Sequence, residues 1–326
     1  MKRILITGAA GFIGYHLAER LSEESTNHLV LADNFARGRE DEDFQALLQR
    51  PNTKSITVDL TDRASFQLLD ADFDEVYHLA AIIGVSNVME RPYEVVRVNG
   101  LATLNLLDWF CAGSARKLLF SSTSEAYAWT QHFHALPIPT PEDVPLALTE
   151  IRNPRSSYAG SKIFGELAVT HACASAGKTF TIVRYHNVYG PRMGFEHVIP
   201  QLGQRVCRGQ DPLIVYSADH SRAFCYVGDA IDATIAAMES SAGDGETFNV
   251  GNENEVTIAD LAGRILKLAG KITPIEAQTA AHDPIIRRCP KMSKARQLLD
   301  FTAQTTLDDG LAKTLAWYQP YFSAKA

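Results

Sequence analysis

The chain reads as an α/β protein, a doubly wound parallel sheet with a smaller C-terminal lobe. Three features carry this reading. Short apolar runs alternate with helical patterns through the first half, a cluster of glycines follows the first run directly, and the alternation loosens after Tyr185.

The runs in order are Ile4-Leu5-Ile6, Leu29-Val30-Leu31, Ser55 to Val58, Glu75 to Leu79, Lys117 to Phe120 and Phe180 to Tyr185. Each is short, apolar and rich in branched residues, as expected of strands buried on both faces. Thr247 to Val250 reads as a late strand returning to the same sheet. Prolines 137, 139, 141, 145 and 154 exclude regular structure between Leu136 and Pro154, which is expected to be an irregular loop beside the active face. After Tyr185, Gly190, Pro191, Gly194 and Pro200 precede a helical stretch from Gln201 to Arg208. The expected division is a first domain of residues 1–185, with 226–250 returning to it, and a substrate lobe of 186–225 and 251–326. Arg37 to Asp43 is a solvated charged loop rather than a binding patch.

Composition narrows the partners. A formal charge of -7 gives no basic footprint for nucleic acid or an anionic membrane surface, so a small polar substrate is expected. No stretch reaches the ~18 apolar residues of a membrane helix, and a cytoplasmic location is expected. The five cysteines are scattered, with neither a disulfide framework nor metal-ligand spacing, so no metal is expected.

In Ile4-Leu5-Ile6-Thr7-Gly8-Ala9-Ala10-Gly11-Phe12-Ile13-Gly14, three glycines stand between a strand and a helix. There the turn must be tight and the backbone must approach a pyrophosphate resting on the helix N-terminus. Asp33 ends the next strand, 19 residues after Gly14, where a carboxylate can accept bonds from ribose hydroxyls. Strand, loop, helix, strand and acid in this order make a Rossmann-type dinucleotide site. The carboxylate would repel a 2'-phosphate, favouring NAD over NADP, with Arg37 and Arg39 as counter-indications. Asp59 is either an adenine contact or a plain turn residue.

Phe120-Ser121-Ser122-Thr123-Ser124-Glu125-Ala126-Tyr127 ends a strand on the face where α/β enzymes assemble their sites. Ser157-Tyr158-Ala159-Gly160-Ser161-Lys162 places Tyr158 and Lys162 four apart, on one helix face. A lysine ammonium beside a phenol favours phenolate, making the tyrosine a usable base.

With these motifs together, nearly the whole chain resembles the extended short-chain dehydrogenase/reductase family, the nucleotide-sugar epimerases, dehydratases and decarboxylases. Further pieces are Asp33-Asn34-Phe35, His78-Leu79-Ala80-Ala81, Asn99 to Asn105, Arg184 to Arg192 and Ser221 to Val227. The resemblance implies that Tyr158 takes the proton from a sugar hydroxyl, that Thr123 bonds the same oxygen, and that Lys162 holds the nicotinamide ribose. It extends the cofactor set to Phe12, Ile13, Asn34, Leu60, Leu79, Ala80, Ala81 and Asn99. It also sets Ser124, Asn187, Arg222 and Arg288 at a nucleotide-sugar substrate, the arginines on its diphosphate. Read alone, Arg222 and Arg288 could equally be surface ion-pair residues, and Asn99 a packing residue or a site organiser. His186 is left out of the acid-base set.

A 4-keto sugar can be re-reduced on its other face, dehydrated across C5 and C6, or decarboxylated. Re-reduction needs no further group, so the first reading is an NAD-dependent epimerase. Dehydratases of the family usually carry Asp-Glu after the threonine, whereas here Ser124-Glu125 stands there, and serine is a poor proton donor. Thr123-Ser124-Glu125 with Arg222 to Cys225 resembles the uronate decarboxylases. His78-Leu79-Ala80-Ala81-Ile82-Ile83-Gly84-Val85-Ser86 lacks their proline-rich loop and is closer to epimerases. A decarboxylase or 4,6-dehydratase using Glu125 is the alternative, and a binding-only regulator the non-enzymatic one. Arg184-Tyr185-His186-Asn187 resembles GDP-mannose epimerases, leaving the nucleotide open. Ala128 replaces the family's usual glycine, and Trp129 to His134 is an aromatic and histidine-rich insert. Apolar helical faces at Leu101 to Phe110 and Phe164 to Ala172 suggest a homodimer, as is usual in the family.

Overall fold

The computed structural model describes residues 1–130, 136–279 and 285–323; of the Trp129–His134 insert, residues 131–134 lie outside the described residues. The strands in chain order are β1 (Lys2–Thr7), β2 (Asn27–Asp33), β3 (Thr53–Thr57), β4 (Glu75–His78), β5 (Lys117–Thr123), β6 (Thr179–Tyr185), β7 (Val188–Tyr189), β8 (Leu213–Tyr216), β9 (Ser221–Ala223), β10 (Cys225–Tyr226), β11 (Glu246–Val250), β12 (Glu255–Thr257), β13 (Ile275–Gln278) and β14 (Arg287–Arg288). The α-helices are α1 (Phe12–Leu21), α2 (Glu42–Leu48), α3 (Val85–Glu90), α4 (Pro92–Ala112), α5 (Ser156–Ala176), α6 (Val198–Cys207), α7 (Val227–Glu239), α8 (Ile258–Leu268), α9 (Ser293–Leu299) and α10 (Leu307–Ser323). Helix α6 begins ahead of the expected Gln201, because Pro200 is tolerated in its first turn, where an N–H would have no intrahelical acceptor.

Two compact units divide the chain. The first comprises Met1–Ala135, Pro145–Tyr185 and Ile231–Phe248. Its sheet runs β11-β6-β5-β4-β1-β2-β3, and β1 to β6 are parallel neighbours throughout. The order reverses between β1 and β4, so the chain leaves their C-terminal ends in opposite directions and opens the crevice where such sheets bind ligands. Leu5, Val76 and Leu118 from the central strands pack with Leu106 and Phe110 of α4 and Val169 of α5 in one core. Helix α5 lies unusually close to β5, since a Cβ at Gly165 would sit 2.3 Å from Phe120 Cζ. It stops at Gly177, whose φ of +63° suits a residue without a Cβ.

The second unit comprises Leu136–Val144, His186–Ala230 and Asn249–Ala326. Here the division departs from the expected one, which put 136–144, 226–230 and 249–250 with the first domain. Thr140 N donates to Cys289 O and Lys291 N to Thr140 O, both at 2.8 Å, so the proline-rich segment pairs as a bridge with the far C-terminal chain. Within this unit, β9 lies between β12 and β14, β8 pairs with β13, and β7 with β10. Ile199 and Leu202 of α6, Leu261 and Ile265 of α8, and Leu311 and Tyr318 of α10 are buried. No helix among the described residues is long and apolar enough to cross a membrane.

Candidate active site

The glycine loop in the first unit is a cradle that no side chain could enter. Gly8 has φ of +72°, and a Cβ there would lie 2.7 Å from Ala80 N, so the loop runs flush against the backbone of Leu79 and Ala80. A Cβ at Gly14 would meet Gly8 O at 2.1 Å. Gly11 caps α1 with no side-chain bond to the helix N-terminus, leaving the first turn at Phe12 and Ile13 aimed at the crevice with its partial positive charge. These features fit a bound pyrophosphate.

Asp33 closes the cradle from β2. Its Oδ2 accepts from Ala10 N at 2.9 Å and its Oδ1 from Phe35 N at 2.8 Å, so the carboxylate also braces the glycine loop. Burial raises its pKa, against the lowering effect of the Phe35, Ala10 and Asn34 amides. Asn34 Oδ1 accepts from Ala36 N at 3.0 Å, and Asp59 Oδ1 accepts from Thr61 N at 2.9 Å, each a local turn bond. The side chain of Leu60 belongs to the core. Ala81 follows Leu79 and Ala80 in the partly buried segment after β4.

Asn99 of α4 is a site organiser. Its Oδ1 accepts from Ile82 N at 2.7 Å, and its Nδ2 donates to Ile82 O and Ser161 Oγ, both at 3.1 Å. It thereby ties the loop after β4 to the turn of α5 between Tyr158 and Lys162. His78, which the motifs give no separate role, does similar work behind the cradle. Its Nδ1 pairs with Thr7 Oγ1 at 2.9 Å and its Nε2 with Thr103 Oγ1 at 3.2 Å, while burial, helped by the Lys162 charge, pulls its pKa down to about 3.

The end of β5 and one face of α5 bring the chemical residues together. Thr123 bonds the Tyr158 phenol through their hydroxyls, and Thr123 Oγ1 also accepts from Glu125 N at 3.2 Å. Burial pushes the Tyr158 pKa up, with the Glu125 charge adding to it and the Thr123 bond and the Arg37 charge opposing. Lys162 shares the helix face, as its spacing implied, but its Nζ donates to Ser121 O at 2.7 Å and stands 4.9 Å over the Phe120 ring. Burial brings its pKa down to about 7, with Glu166 opposing. Ser124 is buried beside Thr123. Glu125 pairs with Arg155 at 3.5 Å, one helical turn before Tyr158, a partner the sequence reading missed.

Unit two carries the remaining predicted residues. Asn187, with φ of +41°, donates from Nδ2 to Ala223 O at 3.0 Å. Arg222 and Arg288 are paired in register on β9 and β14. His186 bonds Asn249 Oδ1 through Nε2 at 2.9 Å.

The profile of the NAD dependent epimerase/dehydratase family matches residues 4–251. The UDP-N-acetyl-alpha-D-glucosaminuronate decarboxylase of Bacillus cytotoxicus is 34% identical over 327 residues, covering 98% of each chain. UDP-glucuronic acid decarboxylase 3 of Arabidopsis thaliana is 31% identical, covering 95% of this chain and 86% of its own. Among solved structures, UDP-glucuronic acid 4-epimerase from Bacillus cereus, in complex with UDP-glucuronic acid and NAD, superposes with a TM-score of 0.85 at 27% identity, covering 98% of this chain and 99% of that one. The chain thus belongs to the NAD-dependent epimerase/dehydratase family, with NAD as its cofactor.

Proposed function

We propose that this enzyme decarboxylates a UDP-linked hexuronate through transient oxidation at sugar C4. The observation that carries the reading is the end-to-end similarity to uronate decarboxylases, joined to Thr123-Ser124-Glu125 at the tip of β5. Bound in the cradle of Gly8, Gly11, Gly14 and Asp33, NAD supplies the oxidising equivalent at C4. Tyr158 takes the proton of the C4 hydroxyl, and Thr123, hydrogen-bonded to that phenol, shares the same oxygen. Lys162, one turn along α5, and Arg37, whose field reaches the phenol, are the cations that favour phenolate.

Oxidation turns the uronate into a β-keto acid. The electrons of the C5–C6 bond can then flow to the C4 oxygen as carbon dioxide leaves, with Tyr158 and Thr123 steadying the enolate. Glu125, two residues beyond Thr123, is the group to return a proton at C5. Reduction of the C4 ketone by the nicotinamide reduced in the first step, with Tyr158 giving its proton back to the C4 oxygen, would close the cycle. In the second unit, Asn187 and the neighbouring Arg222 and Arg288 are the groups suited to the nucleotide diphosphate.

A second reading, 4-epimerisation of the same substrate class, is favoured by the Ile82–Ser86 segment and by the likeness to the Bacillus cereus epimerase. Incubation with UDP-linked hexuronates and hexoses, followed by mass spectrometry, separates the two. Loss of carbon dioxide supports the decarboxylase, and a new isomer of unchanged mass supports the epimerase. If no nucleotide sugar is turned over, and Tyr158→Phe leaves the physiological role intact while nucleotide binding persists, the chain acts as a binding protein. We further propose that it works as a homodimer through α4 and α5.

A further inference from the structure

Behind Thr123 and Lys162 lies a charged cluster with no part in the reaction as derived above. Glu166 of α5 and Arg184 of β6 form a two-pronged ion pair, Nε to Oε1 at 2.9 Å and Nη2 to Oε2 at 2.6 Å. Their exposures are only 8% and 5%. Ser122 Oγ donates to Glu166 Oε1 at 2.5 Å. Arg184 Nη1 donates to Tyr127 OH at 2.7 Å and its guanidinium stacks 4.9 Å from that ring. Apolar residues of similar volume would often serve stability as well as such a pair, so its position calls for another explanation.

The position is specific. Tyr158, Lys162 and Glu166 stand one turn apart on a single face of α5. They meet three consecutive residues at the end of β5: Tyr158 bonds Thr123, Lys162 bonds the Ser121 carbonyl, and Glu166 bonds Ser122. We propose that Glu166, held by Arg184, is a positioning residue for the C4 oxidation, fixing the tip of β5 through Ser122 and setting a carboxylate one turn from Lys162 on the same helix face.

The groups around Lys162 support this. Strand β5 presents the Ser121 carbonyl and the Phe120 ring, β4 presents His78 in its neutral form, and α4 contributes the neutral Asn99 and Thr103. The turn after β5 carries Glu125 and Tyr127, β6 carries Arg184, and α5 itself carries Tyr158 and Glu166. Of the charges here, that of Glu166 acts on Lys162 and favours its protonated form against burial. An uncharged lysine could not stabilise a phenolate at Tyr158.

The proposal rests on the C4-oxidation reading, so its test has a readout independent of turnover. The full chain, labelled with ε-13C lysine and with the Lys162 signal assigned by Lys162→Arg, is titrated by NMR without ligand. In parallel, kcat and KM are measured on UDP-hexuronates. Glu166→Gln is expected to lower the Lys162 midpoint by about one pH unit or more and kcat by about tenfold or more, with KM changed less than about twofold. Glu166→Asp, which keeps the charge, is expected to restore the midpoint and most of kcat. Should Glu166→Gln fail to fold, the double variant Glu166→Gln/Arg184→Met leaves no lone buried charge, and a downward shift is expected, smaller because the Arg184 cation is removed as well. A Lys162 midpoint that stays at the wild-type value in the folded variant overturns the proposal. A wild-type chain that turns over no nucleotide sugar, yet shows the shift on Glu166→Gln, overturns the oxidation reading and upholds the Glu166–Lys162 coupling.

Discussion

Arg288 on β14 lies directly opposite Arg222 on the parallel strand β9, so the two cations share one face of a three-stranded sheet. Like charges facing each other across strands destabilise a sheet unless an anion joins them. Arg222 is also committed to the backbone, donating to the carbonyls of Ser221 at 2.8 Å, Ile286 at 3.1 Å and Ile285 at 2.7 Å. Arg288→Met is expected to raise KM for a UDP-sugar about tenfold or more. Arg222→Met should raise KM and also lose about 1–3 kcal/mol of stability, because the part-buried bonds to the Ser221 and Ile285 carbonyls are lost. Calorimetric titration with UDP and thermal unfolding check both, and an unchanged UDP affinity in Arg288→Met would rule out the anion role.

Glu125 and Arg155 give a prediction about the two halves of the reaction. The charge of Glu125 raises the Tyr158 pKa, and Arg155 stands beside Glu125 at 3.5 Å. Glu125→Gln should let Tyr158 ionise at lower pH, shifting the pH profile of the oxidation half-reaction downward. Release of carbon dioxide or final protonation should meanwhile slow by about 10²-fold. Single-turnover formation of reduced nicotinamide, set against product release, separates these effects. A profile that stays in place would show that Glu125 does not act on the phenol.

The sheet and the cradle were legible because their signals are local. A strand buried on both faces must be apolar, and a loop touching backbone must be glycine, so β1, β2, β4 to β6, β11 and Gly8 to Gly14 could be read off directly, whereas β3, with no fully buried residue, was expected two residues late. The second unit was not, because strands such as β7 and β10 have only two residues and leave no period to detect. Leu136–Val144 joins that unit through Thr140 and bonds far along the chain, which no local pattern signals. At the site, Tyr158 and Lys162 follow from spacing, and Glu166, the same spacing further on, could have been added. Arg184 gave only a faint signal, a charge inside an apolar strand, and Arg155 gave none.

His78 predicts a specific weakness to acid. Buried between Thr7 and Thr103, it has a pKa near 3, so the folded chain refuses a proton that the unfolded chain accepts at its ordinary value. Its contribution is whole above about pH 6.5 and is lost as pH falls toward 3, at about 1.4 kcal/mol per unit. Urea unfolding at pH 6.5 and 5 should show about 2 kcal/mol of loss from this group. His78→Gln should be less stable at pH 7 yet lack that part of the slope. Equal slopes in the two proteins would locate the acid sensitivity elsewhere.

The proposed homodimer makes the last prediction, which turns on the apolar residues that α4 and α5 leave exposed. Leu106, Leu107 and Phe110, in the stretch expected to be apolar and outward, turn into the core of the first unit. The exposed stripe on α4 is instead Tyr93, Val96 and Leu104, and α5 adds Phe164 and Leu167, the last 58% exposed. Scattered exposed apolar residues need no explanation, but these five lie on two helices packed against each other, and the proposed contact would cover them. A second copy presenting the same face would cover all of them through one self-complementary contact. Leu104→Glu/Leu167→Glu would place two carboxylates inside that contact while leaving the core untouched. Light scattering at micromolar concentration should give twice the chain mass for the wild type and the single-chain mass for the variant. A wild-type chain that is monomeric there removes the dimer.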